Sequence, residues 1–110
     1  MDGLIEGRII HYVLSKDDAE AINKRRHAAE SHDLNDGTQL NTGNHVMSGE
    51  HVPGMIVAIF PNEFGKGIPG VNVQCLLDGS DSYWVTSKQF DNDLKLPGTV
   101  HWIERAKESL

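Results

Sequence analysis

The sequence predicts a mainly β (α+β) protein: a small five-stranded antiparallel barrel of the SH3 or OB size class, with one helix inserted after the first strand. Five short segments have the length and composition of strands, and turn-forming residues separate most of them. The segment after the first strand instead has the capping residues and charge order of a helix. The length fits a single domain over residues 1–110.

The strands are predicted from runs of apolar and β-branched residues. The clearest run is VNVQCLL at residues 71–77, where apolar residues alternate with Asn72, Gln74 and Leu76. The first strand lies in EGRIIHYVL, residues 6–14, and its apolar residues occur on both sides of the alternation, as inside a barrel. The other three strands are predicted at residues 55–60, 83–87 and 99–104.

The helix is predicted over about residues 16–31. Ser15 is a good N-cap, and Asp18 follows three residues later as a variant of the capping box. The apolar face is thin, because Ile22 is its one large apolar residue. The helix therefore leans on a second subunit or lies loosely on the surface. Together with a lean core of 38% apolar residues, this predicts a homo-oligomer.

Two segments are predicted to lack regular structure. Residues 33–54 are rich in glycine and asparagine without a clear period, which predicts a long polar loop. Loops longer than about 15 residues are usually functional or disordered, so a binding site is first expected there. Residues 105–110 form a polar C-terminal tail that frays or forms a short helix.

Composition and charge exclude several classes of protein. The net charge of −6 argues against general DNA or RNA binding, although a small anionic ligand needs only two or three local cations. No run approaches the roughly 18 apolar residues of a membrane span. The segment at residues 1–7 has neither the basic nor the apolar part of a signal peptide. We therefore expect a cytoplasmic protein without membrane contact.

No motif points to catalysis, so we expect the protein not to be an enzyme. The sequence has neither a G-x-S-x-G elbow nor a phosphate-loop motif. Its single cysteine, Cys75, has apolar neighbours and reads as a buried small hydrophobe in a reducing compartment. The pairs His27/His32 and His45/His51 have no companions at zinc-site spacing. We therefore predict no catalytic residue, no metal and no cofactor.

Five residues are candidates for ligand binding. Arg25 and Arg26 share a helix side with Ile22, a setting that suits bidentate capture of phosphate or carboxylate. The alternative is a solvated basic helix end. Trp84 can stack on a nucleobase or pack in the core, and Thr86 can bond a ligand or close a turn. Asn44 offers amide donors that can hold an anion or form an ordinary turn.

Several segments together resemble a widespread group of small phage and prophage proteins. Its members typically show a G-R-I-V-H-Y opening and a W-H-W-P-E-like ending. The resemblance covers residues 7–104, and the chain departs from it where Val100-His101-Trp102-Ile103 replaces the tryptophan-rich close. The segments that carry it are GRIIHYVL, AINKRR, GNHV, PGMIVAIF, VNVQCLLDGSDSYWVTS and PGTVHWIE.

This group is similar to phage sponge proteins that sequester immune nucleotide signals. The resemblance implies a protein that binds a cyclic oligonucleotide or a cyclic ADP-ribose isomer without turnover and so counters host anti-phage defence in the host cytoplasm. The alternative is a non-catalytic protein-interaction or virion-accessory module. The positions that the resemblance implies for ligand contact are Arg25, Arg26, Asn44, Trp84 and Thr86.

Overall fold

The computed structural model describes residues 3–36 and 43–104, with side chains over 3–28 and 43–104. It confirms the predicted fold class: five antiparallel strands form a curled half-barrel, and one helix follows the first strand. The elements are β1 (Ile9–Val13), α1 (Lys16–Asp36), β2 (His51–Phe60), β3 (Gly70–Leu76), β4 (Ser82–Gln89) and β5 (Val100–His101).

The sheet has the strand order β4-β3-β2-β1-β5. Strands β2, β3 and β4 follow one another as a meander, whereas β1 pairs with β2 across the helical connection. Strand β5 returns to the free edge of β1. A bridge between Phe90, just after β4, and Val100 brings the two ends of the sheet order together, which accounts for the curl.

The two faces of the sheet differ in burial because strand side chains alternate between them. Helix α1 packs on one face, where Ile22 joins the main apolar cluster. We call the other face the open face, since large apolar side chains on it remain exposed. The open face carries Ile9, His11, Pro53, Met55, Gln74, Leu76 and Trp84.

The predicted start of the helix is confirmed, and its predicted end is wrong. The amide N–H of Asp18 donates to Ser15 Oγ at 3.1 Å, and the amide N–H of Ser15 donates to Asp18 Oδ2 at 2.9 Å. These two bonds form the reciprocal capping box. The helix continues to Asp36 rather than 31, because no glycine or proline interrupts the sequence before Gly37.

The long loop predicted over residues 33–54 is shorter at both ends, since α1 ends later and β2 begins at His51. Pro53 and Gly54 fall in the last part of that predicted loop, yet both lie in a strand here. Pro53 precedes the ladder between β2 and β3, which starts at Gly54, so its missing N–H breaks none of that ladder's bonds. Gly54 is buried against Val73, where a side chain would collide. Residues 37–42 of that loop lie outside the described part.

The segment predicted as a polar tail, residues 105–110, also lies outside the described residues. Within residues 3–36 and 43–104, no helix combines the length and hydrophobicity needed to cross a membrane.

Candidate functional site

The arginine pair on α1 is engaged inside the molecule. The side chain of Arg26 is only 2% exposed, and its Nη1 lies 2.6 Å from Asp81 Oδ1. Arg25 is 45% exposed, and its Nη2 lies 3.1 Å from the other oxygen of the same carboxylate. Its guanidinium also lies over the ring of Tyr83, 5.6 Å from the centroid. Asp81 therefore offsets much of the positive charge that the sequence places here.

Asn44 lies close to the same cluster. Its backbone carbonyl accepts a hydrogen bond from Arg26 Nε at 3.4 Å, and its side-chain amide donates to the carboxylate of Asp78. The neighbouring Gly43 bridges to Gly79, where its backbone is too close to residues 78 and 79 to admit a side chain. The structure thus brings Arg25, Arg26 and Asn44 together around two carboxylates.

Trp84 and Thr86 lie elsewhere, on β4. The Trp84 side chain is 56% exposed on the open face, so it does not take the core position that tryptophan usually occupies. Thr86 is exposed two residues further along the strand, where a bulge interrupts the register with β3. Since β4 is an edge strand, Arg25 beside Tyr83 and the indole of Trp84 lie on opposite sides of the same edge.

A groove of about 520 Å³ adjoins the open face. Its volume lies within the range of small-molecule sites. Asn44 is the one candidate ligand residue from the sequence that lines it. Two carboxylates also line the groove, which makes its wall acidic. The lining includes Asn44, Glu50, His51, Pro53, Leu76 and Asp78.

Three histidines meet at the end of the open face near β5. His11 on β1 pairs directly with His101 on β5, and His51 begins β2 on the other side of β1. The ring centroids are 5.5 Å apart for His11 and His101, 4.8 Å for His51 and His101, and 6.4 Å for His11 and His51. One potential ligand atom from each residue lies within 4.8 Å of the other two.

The surroundings of His11 and His101 favour their uncharged imidazoles. Burial lowers the pKa of His11, and the neighbouring charge of His51 lowers it further. Burial likewise lowers the pKa of His101, followed by the effects of His51 and His11. The carboxylate of Glu104 opposes both shifts, and it forms an ion pair with Lys95.

Two further buried groups have structural roles. Asp18 accepts hydrogen bonds from the hydroxyl groups of Tyr12 and Tyr83, the latter at 2.9 Å, in addition to its capping bonds. Burial alone would raise the pKa of Asp18, but these hydrogen bonds outweigh it and the pKa is lowered. Burial raises the pKa of the Cys75 thiol to about 12, so this thiol stays protonated and unreactive.

The histidine cluster is the feature that sequence reasoning missed. The sequence places His51 near His45, whereas its partners in space are 40 and 50 residues away along the chain. The available signal was that His11 and His101 both fall in predicted strands. Placing them opposite each other required the register between the first and last strands, which no local pattern supplies.

Comparison of the chain with protein-family models, curated proteins and solved structures gives no match.

Proposed function

We propose that this protein is a non-catalytic binding protein that captures a small nucleotide on the open face of its sheet. The ligand class comes from the resemblance to phage sponge proteins, and the place of binding comes from the geometry of the open face. In this proposal the ligand is a cyclic oligonucleotide or a cyclic ADP-ribose isomer. Its sequestration in the host cytoplasm counters anti-phage defence.

The observation that carries the proposal is the exposed indole of Trp84 within a row of open-face side chains. Ile9 pairs with Met55, Met55 with Gln74, and Gln74 with Trp84, so the row crosses four strands. Contiguous exposed apolar surface marks interaction sites in soluble proteins. A nucleobase stacked on an exposed aromatic ring gains about 1–3 kcal/mol whatever the base.

The groove extends this surface. Leu76 lines the groove and pairs with Ser82, which makes it a diagonal neighbour of Trp84. A dinucleotide-sized ligand can therefore contact the indole and enter the groove together. Because Glu50 and Asp78 make the groove acidic, we assign the base and ribose to the groove rather than the phosphates.

The phosphates need a cation, and Arg25 is the suitable one of the arginine pair. Arg26 is buried in its ion pair, whereas Arg25 keeps almost half of its side chain exposed at the edge strand. A ligand that reaches around the edge of β4 contacts both Trp84 and Arg25. A guanidinium fork matches phosphate oxygens better than an ammonium group does.

Binding without turnover follows from the resemblance, which implies sequestration rather than hydrolysis. The buried, protonated thiol of Cys75 is itself no nucleophile. The ligand should accordingly be recovered intact when the protein is denatured and the supernatant is chromatographed.

The second candidate is a protein-interaction module, which the apolar character of the open face favours. Met55, Leu76 and Trp84 are the kind of side chains that protein interfaces bury, and no arginine or lysine stands in their row. The two candidates differ at Arg25, because a phosphate needs its guanidinium and an apolar partner on the open face does not.

A thermal-shift panel of cyclic di- and trinucleotides and cyclic ADP-ribose isomers tests the proposal. A ligand at 100 times its Kd raises the free energy of unfolding by about 2.7 kcal/mol, which is easily detected. Once the panel identifies a ligand, Arg25→Lys should weaken its binding although the positive charge is kept. Lys24→Arg is the control and should bind the ligand like the parent. No stabilisation by any panel member would favour the protein-interaction candidate.

A further inference from the structure

We propose that His11, His51 and His101 form a binding site for a divalent transition-metal ion, with Zn²⁺ as the expected occupant. This inference stands on different observations from those behind the proposed nucleotide site, with which it shares His51, a residue that also lines the groove. It follows from the placement of the three side chains, their separation, the burial of one of them and the chemistry of the donor set.

The register of the sheet brings the three imidazoles together. His11 and His101 are direct cross-strand partners, so their Cβ atoms project from the same face. His11 also pairs with Pro53, and His51 lies two residues before Pro53 on the same face of β2. His51 and His101 thus approach from the two strands that flank β1, and their rings are the nearest pair of the three.

The separation of the nitrogens is close to that of a metal site. Zinc binds histidine nitrogen at about 2.0–2.1 Å, which in tetrahedral geometry puts ligand nitrogens about 3.3 Å apart. The corresponding atoms here all lie within 4.8 Å of one another. The rings therefore need to close by about 1.5 Å or less. Rotation about the side-chain bonds of His11 and His51 can supply this, because neither of these two residues is buried.

The environment of His101 is the second, independent observation. His101 is 1% exposed, and its Nδ1 has no hydrogen-bond partner among the residues that the structure describes. Buried polar atoms in folded proteins are nearly always paired, and an exception calls for an explanation such as an ion. A metal ion bound through this nitrogen satisfies it without a protein partner.

The donor set selects the class of metal. Imidazole nitrogen suits Zn²⁺, Cu²⁺ and Ni²⁺, whereas Mg²⁺ and Ca²⁺ require oxygen ligands. Three protein ligands leave a coordination position that water can fill, and solvent reaches the cluster at the exposed His51. Glu104, three residues after His101, is paired with Lys95, so the proposal depends on the imidazole donors rather than on this carboxylate.

Isothermal titration of Zn²⁺ into the full chain, free of any polyhistidine tag, tests the site. We expect one equivalent to bind, and we expect bound Co²⁺ to give the visible absorption of a four-coordinate site. Loss of an outer partner of a metal ligand typically weakens metal affinity 10- to 100-fold. Removal of a ligand itself, in His51→Ala or His11→Ala, should therefore weaken Zn²⁺ affinity by at least about 100-fold.

His51 gives the most direct variant because it is exposed and its removal spares the core. His27→Ala is the matched control, since it removes an exposed histidine from α1 and should leave Zn²⁺ affinity unchanged. Nitrogen-15 NMR of the imidazoles should show shifts at the three cluster residues and not at His27. Absence of saturable binding, or equal loss in His27→Ala and His51→Ala, would overturn the proposal.

Discussion

Arg26 and Asp81 form an ion pair of 2.6 Å between the middle of α1 and the residue just before β4. The pair joins the helix to the edge strand of the sheet, and Asp81 also binds Arg25. Since Arg26 is almost fully buried, its charge depends on this carboxylate for compensation. The arginine that the sequence suggested as a phosphate ligand therefore has a structural role, whatever else it binds.

The first prediction concerns this ion pair. Asp81→Asn should lower the free energy of unfolding by about 3 kcal/mol, because it leaves a buried guanidinium without its counter-charge. This cost is at the lower end of the usual range for removing one partner of a buried ion pair, since the Asp81 side chain is 28% exposed. Urea unfolding measures the change. Asp93→Asn, at an exposed aspartate between β4 and β5, is the control and should change stability little. Equal stability of both variants would mean that water compensates Arg26.

The second prediction concerns the pH dependence of stability that Asp18 causes. Its pKa in the folded chain lies below the ordinary aspartate value of 3.8, so the unfolded chain takes up the proton more readily. The stabilisation is complete above that value and is lost as the pH falls through the folded pKa. Tyr83→Phe removes one donor to this carboxylate and should cost about 1.5–3 kcal/mol at pH 7.

The difference between Tyr83→Phe and the parent should therefore shrink as the pH falls below about 4 and the Asp18 carboxylate of the folded chain takes up a proton. Chemical unfolding of both proteins from pH 7 to pH 3 provides the comparison. A difference that stays constant over this range would show that Tyr83 stabilises the fold through packing rather than through Asp18.

The third prediction tests the close approach at Gly43. This residue has φ of +135°, and a Cβ there would lie 2.6 Å from the carbonyl oxygen of Asp78. Gly43→Ala should cost about 1–3 kcal/mol of stability from backbone strain, with the collision adding to it. Gly49→Ala is the matched control, because Gly49 also has a positive φ but a Cβ there meets nothing within 4 Å. Equal losses of stability in the two variants would show that the backbone at residues 78–79 shifts to make room for the added methyl group.

The elements that the sequence predicts well are those with local signals. The alternation at residues 71–77 locates β3 to within one residue, and the Ser15–Asp18 pair locates the start of α1. The predicted start of β2 at residue 55 was wrong, because Pro53 and Gly54 belong to residue types that form turns more often than strands. Their fit here depends on the tertiary approach of Val73 and on where the ladder with β3 begins.

The candidate sites could be predicted only in part. The sequence left two positions open for Trp84, one in the core and one at a ligand. The 56% exposure of its side chain excludes the core position. The pairing of Arg26 with Asp81 spans 55 residues, and the histidine cluster spans 90. Contacts of this kind depend on strand order and register, which arise from the whole sheet rather than from any one segment.

The fourth prediction concerns oligomeric state. The lean core and thin helix face predict a homo-oligomer, and the structure uses Ile22 within the chain itself. Exposed apolar residues away from Trp84, such as Phe64 and Ile68, are then available to a second copy. Multi-angle light scattering at micromolar concentration should give a mass above 12.2 kDa. A mass of one chain for the parent would contradict the prediction.

The most direct test of the central claim, capture of a nucleotide on the open face, is a calorimetric titration of Trp84→Ala with the best ligand of the panel. Loss of stacking should weaken binding by about 1–3 kcal/mol, or roughly 5- to 150-fold, with little change in salt dependence. Leu94→Ala, which removes an exposed apolar side chain away from the open face, should bind like the parent. Parent-like affinity of Trp84→Ala would contradict the account.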